Sequence, residues 1–226
     1  MNVSDLVTRF HQDMDDEVKS LSGDERDQNW PAKLVHDYLD DAEREAAERS
    51  RLLFDRLTPA VCRIPLVTTR SVYKLSELIT EVTRVDFVYD GGSFQVRIHN
   101  RMELEKVQPN WRTDNFSGTR AIIVDDSTIE PAGVIEQAGT LHLEVYRYPL
   151  FPASMSDAFE IAARNHIHLL DWMKHLAYGK READIYSPQL AKSYEESFIK
   201  RFGVTKDANT WREAHASIPH INQFWG

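Results

Sequence analysis

Several residue groupings in this chain are of types that can carry chemistry. Neighbouring carboxylates recur at Asp15-Asp16-Glu17, Asp40-Asp41 and Asp125-Asp126. Acid–base work on a glycosidic bond needs two carboxyls facing each other across a cleft. Adjacent residues of a strand point to opposite faces, so Asp125 and Asp126 read as turn and cap residues rather than as such a pair. His166, His168, Asp171 and His175 fall in one stretch. On a helix His168, Asp171 and His175 share a face and could converge on an ion, whereas His166 and His168 point about 160° apart. No His-Glu-x-x-His occurs, and histidines at a surface or an interface are the plainer reading. Cys62 is the single cysteine. Within a strand pattern it is expected to be a buried, inert thiol. No glycine-rich loop leads into a helix and no Gly-x-Ser-x-Gly is present, so neither nucleotide binding nor a serine nucleophile has support. The expectation is a protein that is not an enzyme, with no catalytic residue, no metal and no cofactor.

Two groupings suit contact instead. Residues 218–226 contain Ile218, Ile221, Phe224 and Trp225, with His220 the one ionisable side chain. Pro219 prevents a helix from continuing through them. Such an apolar end either folds back on its own subunit or docks on a partner, since aromatic anchors dominate interfaces. The second grouping is acidic: Asp37, Asp40, Asp41, Glu45 and Glu48 lie on one predicted helix.

The elements that position these residues follow from periodicity. Val3, Leu6, Val7 and Phe10 have helical spacing, with Ser4 as the expected cap. Asp13 to Asn29 is polar and acidic and reads as a loop. Pro31 opens a helix expected to run to Leu57, about 40 Å at 1.5 Å per residue. Its apolar stripe is Leu34, Val35, Tyr38, Leu39, Ala42, Ala46 and Leu53. It is either a surface helix with one buried face or a helix that also pairs with a neighbouring subunit. Period-two segments follow at Val61–Val67, Ser71–Leu75, Val82–Tyr89, Phe94–Ile98, Thr119–Val124 and Gly139–Tyr148. Pro65 places the first of them at an edge or a bulge, and Asp90-Gly91-Gly92 reverses the chain between the third and fourth. Asn100 to Lys106 reads as a short helix and Asn110 to Gly118 as a loop. Helical spacing returns from Asp157 to Tyr178, with Gly179 as the expected C-terminal cap. Ser187-Pro188 starts a helix that ends at Phe202-Gly203, and a further turn or two is expected over Asn209–Ala216.

Helices, then strands, then helices indicate α+β: a helical bundle formed by the N- and C-terminal helices, with an inserted antiparallel β-domain. The expected boundaries are 1–58 and 151–217 for the two parts of the bundle, 59–150 for the β-rich domain, and 218–226 for an extended docking tail.

Composition narrows the function classes. The chain has 226 residues, 42% hydrophobic and 28% charged, as ordinary globular proteins do. No apolar run is long enough to cross a bilayer. The N-terminal residues lack a basic segment followed by an apolar one, so no secretory signal is expected. One cysteine points to assembly in a reducing compartment. The net charge of −9 is concentrated: residues 1–58 hold 8 Lys and Arg against 15 Asp and Glu, net −7. That balance argues against wrapping nucleic acid tightly. It does not argue against lying near DNA, which an acidic surface would repel and keep mobile.

Two helical stretches resemble tailed-bacteriophage head–tail adaptor, or connector, proteins of the portal-ring and tail-tubular type. Leu34 to Leu53, reading LVHDYLDDAEREAAERSRLL, is similar to the long opening helix of that family. Leu170 to Asp184, reading LDWMKHLAYGKREAD, is similar to its Trp-containing C-terminal segment, followed in both by a helix ending in Phe-Gly, here Phe202-Gly203. Leu143 to Leu150, LEVYRYPL, resembles the strand before those helices. The similarity covers most of residues 30–203, and the acidic stretch from Asp13 to Asn29 and the aromatic end depart from the pattern. The resemblance implies a virion structural protein at the neck, assembled in the host cytoplasm. It implies a homo-oligomeric ring, commonly of twelve subunits, beneath the portal protein. The ring would continue the DNA channel, pass genomic DNA without specific binding, contact no membrane and offer an attachment surface to a tail or nozzle protein. In that setting the aromatic end is expected to dock on the portal or a neighbouring subunit, and the five acidic residues are candidates to face the DNA path. The alternative is a β-sandwich module of a phage tail, binding a ligand or carbohydrate, on a helical base.

Overall fold

A computed structural model of the chain describes residues 1–14, 30–181 and 186–204. The expected loop over Asp13–Asn29, the helical turns over Asn209–Ala216 and the aromatic end therefore lie wholly or mainly outside the described residues. The fold is mixed α+β. The described chain divides into two compact units: one takes in Met1–Leu53 and the described residues from Arg147 onward, the other Phe54–Tyr146.

The first unit is helical. Helix α1 (Val3–Asp13) is capped by Asn2, not by Ser4 as expected: the Asn2 side chain accepts from the Asp5 N–H and the Asp5 carboxylate accepts from the Asn2 N–H. This reciprocal pair satisfies two donors that a bare helix start leaves open. Helix α2 (Ala32–Ser50) follows Pro31, whose extended backbone makes it the N-cap. Val35, Leu39, Ala42 and Ala46, three or four residues apart, bury one face. The helix is shorter than expected, about 28 Å. Arg51 turns left-handed at φ 52° and closes it, and Ser50 donates its hydroxyl to the Phe202 carbonyl at 2.7 Å. The chain beyond is claimed by strand pairing, which the absence of Gly and Pro could not reveal.

The single helix expected from Asp157 to Tyr178 does not form as one piece. A short turn α6 (Ala153–Ser156) ends at Asp157, left-handed at φ 50°. A 3₁₀ segment (Ala163–His168) then leads into α7 (Leu169–Gly179). Gly179 is the last helical residue and the extended Lys180 is the cap, so Gly179 is not the left-handed terminator expected. Helix α8 (Pro188–Phe202) begins as the sequence indicates, with the Ser187 side chain accepting from the Leu190 N–H and proline in the first turn. Gly203 closes it at φ 88°. Leu6, Phe10, Trp30, Leu39, Met173 and Phe198 share the core of this unit.

The second unit is built on strands β1 (Phe54–Asp55), β2 (Arg63–Leu66), β3 (Tyr73–Lys74), β4 (Ile79–Tyr89), β5 (Gly92–His99), β6 (Ala121–Val124), β7 (Thr128–Pro131) and β8 (Gly139–Arg147). They follow one path, β1-β8-β4-β5-β6-β7-β3, with β2 also on β8. β8 alternates as expected, burying Leu141, Leu143 and Val145. Tyr89 pairs with Gly92, so Asp90-Gly91 is the hairpin turn. Pro65 sits on β2, which pairs with β8. Three expectations need correction. Phe116–Thr119, expected as loop and the start of a strand, is a helical turn. Val61 and Cys62 end a helical turn, α3 (Pro59–Cys62), before β2 begins, so the buried Cys62 is not in a strand. The sheet is also not wholly antiparallel, because β5 and β6 run parallel. Their connection carries helices α4 (Arg101–Val107) and α5 (Phe116–Thr119), and such a crossover is what a parallel pair requires. Leu104 and Trp111 in that crossover bury against Ala121, Ile123 and Ala132.

Gly139, at the start of β8, is fixed by close approach. A Cβ there would lie 2.5 Å from both the Phe87 ring and the Val88 carbonyl oxygen. Because backbone cannot yield as a side chain can, Gly139→Val is expected to destabilise the β unit by about 1–3 kcal/mol. At Gly118 a Cβ would meet nothing within 4 Å, so Gly118→Ala is the control. Urea unfolding followed by circular dichroism reads both.

Candidate functional site

The first unit carries the densest arrangement of ionisable side chains, on the face of α2 that meets residues 147–161. Four carboxylates are involved. Glu43 lies on the buried face with Ala42, Ala46 and Ala47 and is 1% exposed. Its Oε1 accepts the N–H of Glu160 at 2.8 Å and of Ile161 at 3.3 Å. Asp40 accepts the N–H of Ser154 at 3.0 Å and its hydroxyl as well. Glu48 accepts the Tyr148 hydroxyl, and Arg44 lies over the Tyr148 ring, 4.7 Å from its centroid. Glu160 turns back on its own segment, pairing with the buried Arg147 through both oxygens and accepting the Leu150 N–H at 2.8 Å. The outcome is a loop whose backbone donors are met by side chains of α2 and by its own glutamate.

Titration follows the burial. Desolvation pushes the Glu43 carboxyl up, the two N–H donors oppose it, and Glu160 and Asp40 add repulsion. Desolvation also raises Asp41, with Arg44 opposing and Asp37, Asp40 and Glu45 reinforcing. The Tyr148 phenol is pushed up by burial first and by Glu48 second.

A second tie joins the helices. The Arg49 side chain is buried and gives Nε and Nη2 to Glu45 Oε1 at 3.0 and 2.6 Å. Its guanidinium lies 4.7 Å from the Trp172 ring centroid and 5.4 Å from that of Phe198. The five acidic candidates thus divide. Asp40, Glu45 and Glu48 hold partners within the unit. Asp41 is exposed, as is Asp37, which pairs with the still more exposed Lys33 at 2.9 Å. Asp41, Glu45 and Glu48 border a depression of about 260 Å³ with Arg44, Tyr148 and Trp172.

The histidine stretch does not converge. His166 places Nδ1 2.8 Å from the Met1 carbonyl and Nε2 3.0 Å from that of Ile161. His175 meets the Ala191 carbonyl at 3.0 Å, and Asp171 accepts from Ser197 at 2.9 Å. Among the described residues no group of His, Cys, Asp and Glu could hold a metal ion. Asp125 and Asp126 are exposed turn residues, the former 3.7 Å from Arg101. In the β unit Phe87, Tyr89, Phe94 and Phe116 turn their rings on one another, with centroids 5.4–6.1 Å apart. They line a cavity of about 260 Å³ with Ser117 and Glu136. Ile218, Ile221, Phe224 and Trp225 lie outside the described residues.

The sequence reading did not single out Glu43, Arg49 or the Arg147–Glu160 pair. A signal existed for Glu43: it falls four residues after Leu39 and three before Ala46, on the apolar stripe. Arg147 and Glu160 had none, because their pairing depends on the path of the loop.

A family model described as SU10 adaptor protein matches residues 1–218 of the chain. No curated protein matches it.

Glu43 gives a test of the carboxylate-held loop. Its raised folded value means that the folded state binds this proton more tightly than the unfolded chain does. Its contribution to stability is therefore present below the ordinary value of 4.5 and is lost as pH rises through the raised value. Glu43→Ala strands two buried donors and is expected to cost about 2–4 kcal/mol. Glu43→Gln keeps an acceptor oxygen, costs less, and removes the titration. Urea unfolding at several pH values should show the wild type losing ground relative to Glu43→Gln as pH rises.

Proposed function

The chain belongs to the SU10 adaptor protein family, a bacteriophage head–tail adaptor family, and from that premise we propose its place in the virion. It is a structural protein of the neck that forms a closed ring beneath the portal, continues the DNA channel and receives a tail or nozzle protein. The observation that carries this reading is the family match over residues 1–218, which takes in both units. A heterologous contact repeated around an axis closes into a ring. The helices of 1–58 and 151–217 form the bundle that builds its wall, with the β-rich residues 59–150 inserted between them in the chain. Helices from both ends of the chain share one core, which supports this division. Residues 218–226 dock, through Ile218, Ile221, Phe224 and Trp225, on the portal or a neighbouring subunit. Among the described residues no helix is long and apolar enough to cross a membrane. The carbohydrate-binding alternative would use the half-buried Tyr89 and Phe94 beside the cavity of the β unit, but Phe87 and Phe116 of the same cluster are buried and it extends no aromatic face along a strand.

The channel role falls first on Asp37 and Asp41. They are exposed, whereas Asp40, Glu45 and Glu48 also hold internal partners. Negative potential along a DNA path lowers adhesion.

Two measurements test this. Mixed with the portal ring of its virus, the full chain is expected to form a stoichiometric complex visible by negative stain, and deletion of residues 218–226 should abolish it while leaving circular dichroism unchanged. A chain that stays monomeric and ignores the portal overturns the assignment; a truncated chain that binds as well as the intact one overturns only the docking role of the tail. Asp37→Lys with Asp41→Lys should slow DNA ejection without preventing assembly, and unaltered ejection would remove these residues from the channel.

A further inference from the structure

Strand β5 pairs with β4 along residues 92–96 and with β6 only along residues 97–99. Among the described residues no strand is paired to the β6 side of residues 92–96. In the hairpin closed by Tyr89 and Gly92, every second residue turns its N–H and C=O away from the partner strand. Arg97 does so, giving its N–H to the Arg120 carbonyl at 2.8 Å. Ser93 and Gln95 have the same parity, and both are exposed. They leave a short strand edge open, the kind of surface to which an extended segment adds. Phe94, between them, lines the cavity of about 260 Å³ with Phe87, Tyr89 and Phe116. That volume is below the roughly 300–1,000 Å³ of a pocket for a drug-sized ligand and suits one large side chain. Glu136 at its border takes the Ser117 hydroxyl on Oε2 at 2.6 Å, and its Oε1 has no partner among the described residues. The Arg120 guanidinium already lies 4.8 Å from the Phe94 ring centroid, which disfavours a cationic occupant. An aromatic lining with one open acceptor is complementary to an indole, whose ring is apolar and whose N–H only donates.

We propose that residues 222–225 of a neighbouring copy of this chain add to the open edge of β5 as a short strand and set Trp225 in the cavity. The chain has five tryptophans, and the others do not suit this place. Trp30 and Trp111 are buried, and Trp172 packs on His175 and Phe198. Trp211 stands beside Arg212 and Glu213 in a stretch of helical pattern. Trp225 ends the run Asn222-Gln223-Phe224-Trp225, which has no charged side chain to desolvate, and Pro219 before it opposes a helix. Between Val204, the last described residue, and Asn222 lie 17 residues, enough to span up to roughly 60 Å. The choice of a neighbouring copy rests on the ring reading. A segment passed from each subunit to the edge of the next is a heterologous contact, the kind that closes a ring, and every copy carries one segment and one edge.

The full chain, with benzoylphenylalanine in place of Phe224, is irradiated alone and on the portal ring of its virus. The expected result is an adduct between two copies, mapped to residues 92–97 or 116–137. Proline is tolerated at a sheet edge, so Gln95→Pro removes an outward N–H that no described strand uses. Gln95→Pro, and separately Trp225→Ala, should lower the yield of that adduct about tenfold or more with circular dichroism unchanged, whereas Gln95→Thr should keep it. Trp225→Phe and Glu136→Leu should each lower it severalfold and together no further, because both remove the same hydrogen bond. An adduct only within one copy, only with the portal or at other residues, no adduct in either sample, or undiminished yield in the Trp225→Ala chain overturns the proposal. Negative stain of the unaltered chain with the portal judges the adaptor reading separately: a chain that attaches while position 224 marks no second copy sinks the strand addition alone.

Discussion

A backbone N–H shut away from water must find an acceptor, and in the helical unit the acceptor is a carboxylate that α2 carries on its buried side. Glu43 takes the N–H of Glu160 and of Ile161. Those donors are then unavailable to a helix, so the chain from Asp157 cannot run straight into α7. The Ile161 carbonyl, turned aside with its residue, meets the His166 ring. Glu160, held by its backbone, is placed so that its side chain pairs with Arg147 and takes the Leu150 N–H. One buried acid thereby organises the loop from the end of β8 to the start of the 3₁₀ segment. The arrangement costs desolvation of that acid, which is why its carboxyl is pushed up. Its two backbone donors offset part of this cost.

The same helix shows charge put to two uses. Toward the interior, Asp40, Glu45 and Glu48 are spent on Ser154, Arg49 and Tyr148. Toward solvent, Asp37 and Asp41 remain exposed, and repulsion among the acids adds to the raised titration of Asp41. A protein of a head–tail adaptor family has reason to keep these uses apart: internal carboxylates fix the shape of each subunit, while external ones set what the surface attracts or lets pass.

In the β unit, one strand has three neighbours. β8 meets β2 along Gly139–His142 and β1 at Val145 and Tyr146, with β4 also beside it in the sheet. Further along, the sheet changes direction at the parallel β5–β6 pair, and the crossover packs Leu104 and Trp111 onto its strands. The aromatic rings of β4, β5 and α5 face one another, with Phe87 and Phe116 buried among them.

Local chemistry was enough to determine much of this from the sequence. Ser187-Pro188 and Gly203 bound α8, Asp90-Gly91 turns β4 into β5, and the alternation of Leu141, Leu143 and Val145 marks β8. Each is set by residues within a few positions of one another, as are the helical identity of α2 and the family pattern it carries. Long-range contacts decided the rest. The end of α2 at Arg51, the division of 153–179 into three pieces and the parallel pair of β5 and β6 depend on partners far along the chain. So does the fate of each acid. Asp40 and Asp41 are neighbours of one type on one helix, yet Asp40 accepts from Ser154 and Asp41 is exposed. Sequence specifies which side chains can ionise and which face of a helix they occupy; only the tertiary structure decides which of them a buried backbone donor claims, because that donor arrives from a segment more than a hundred residues away.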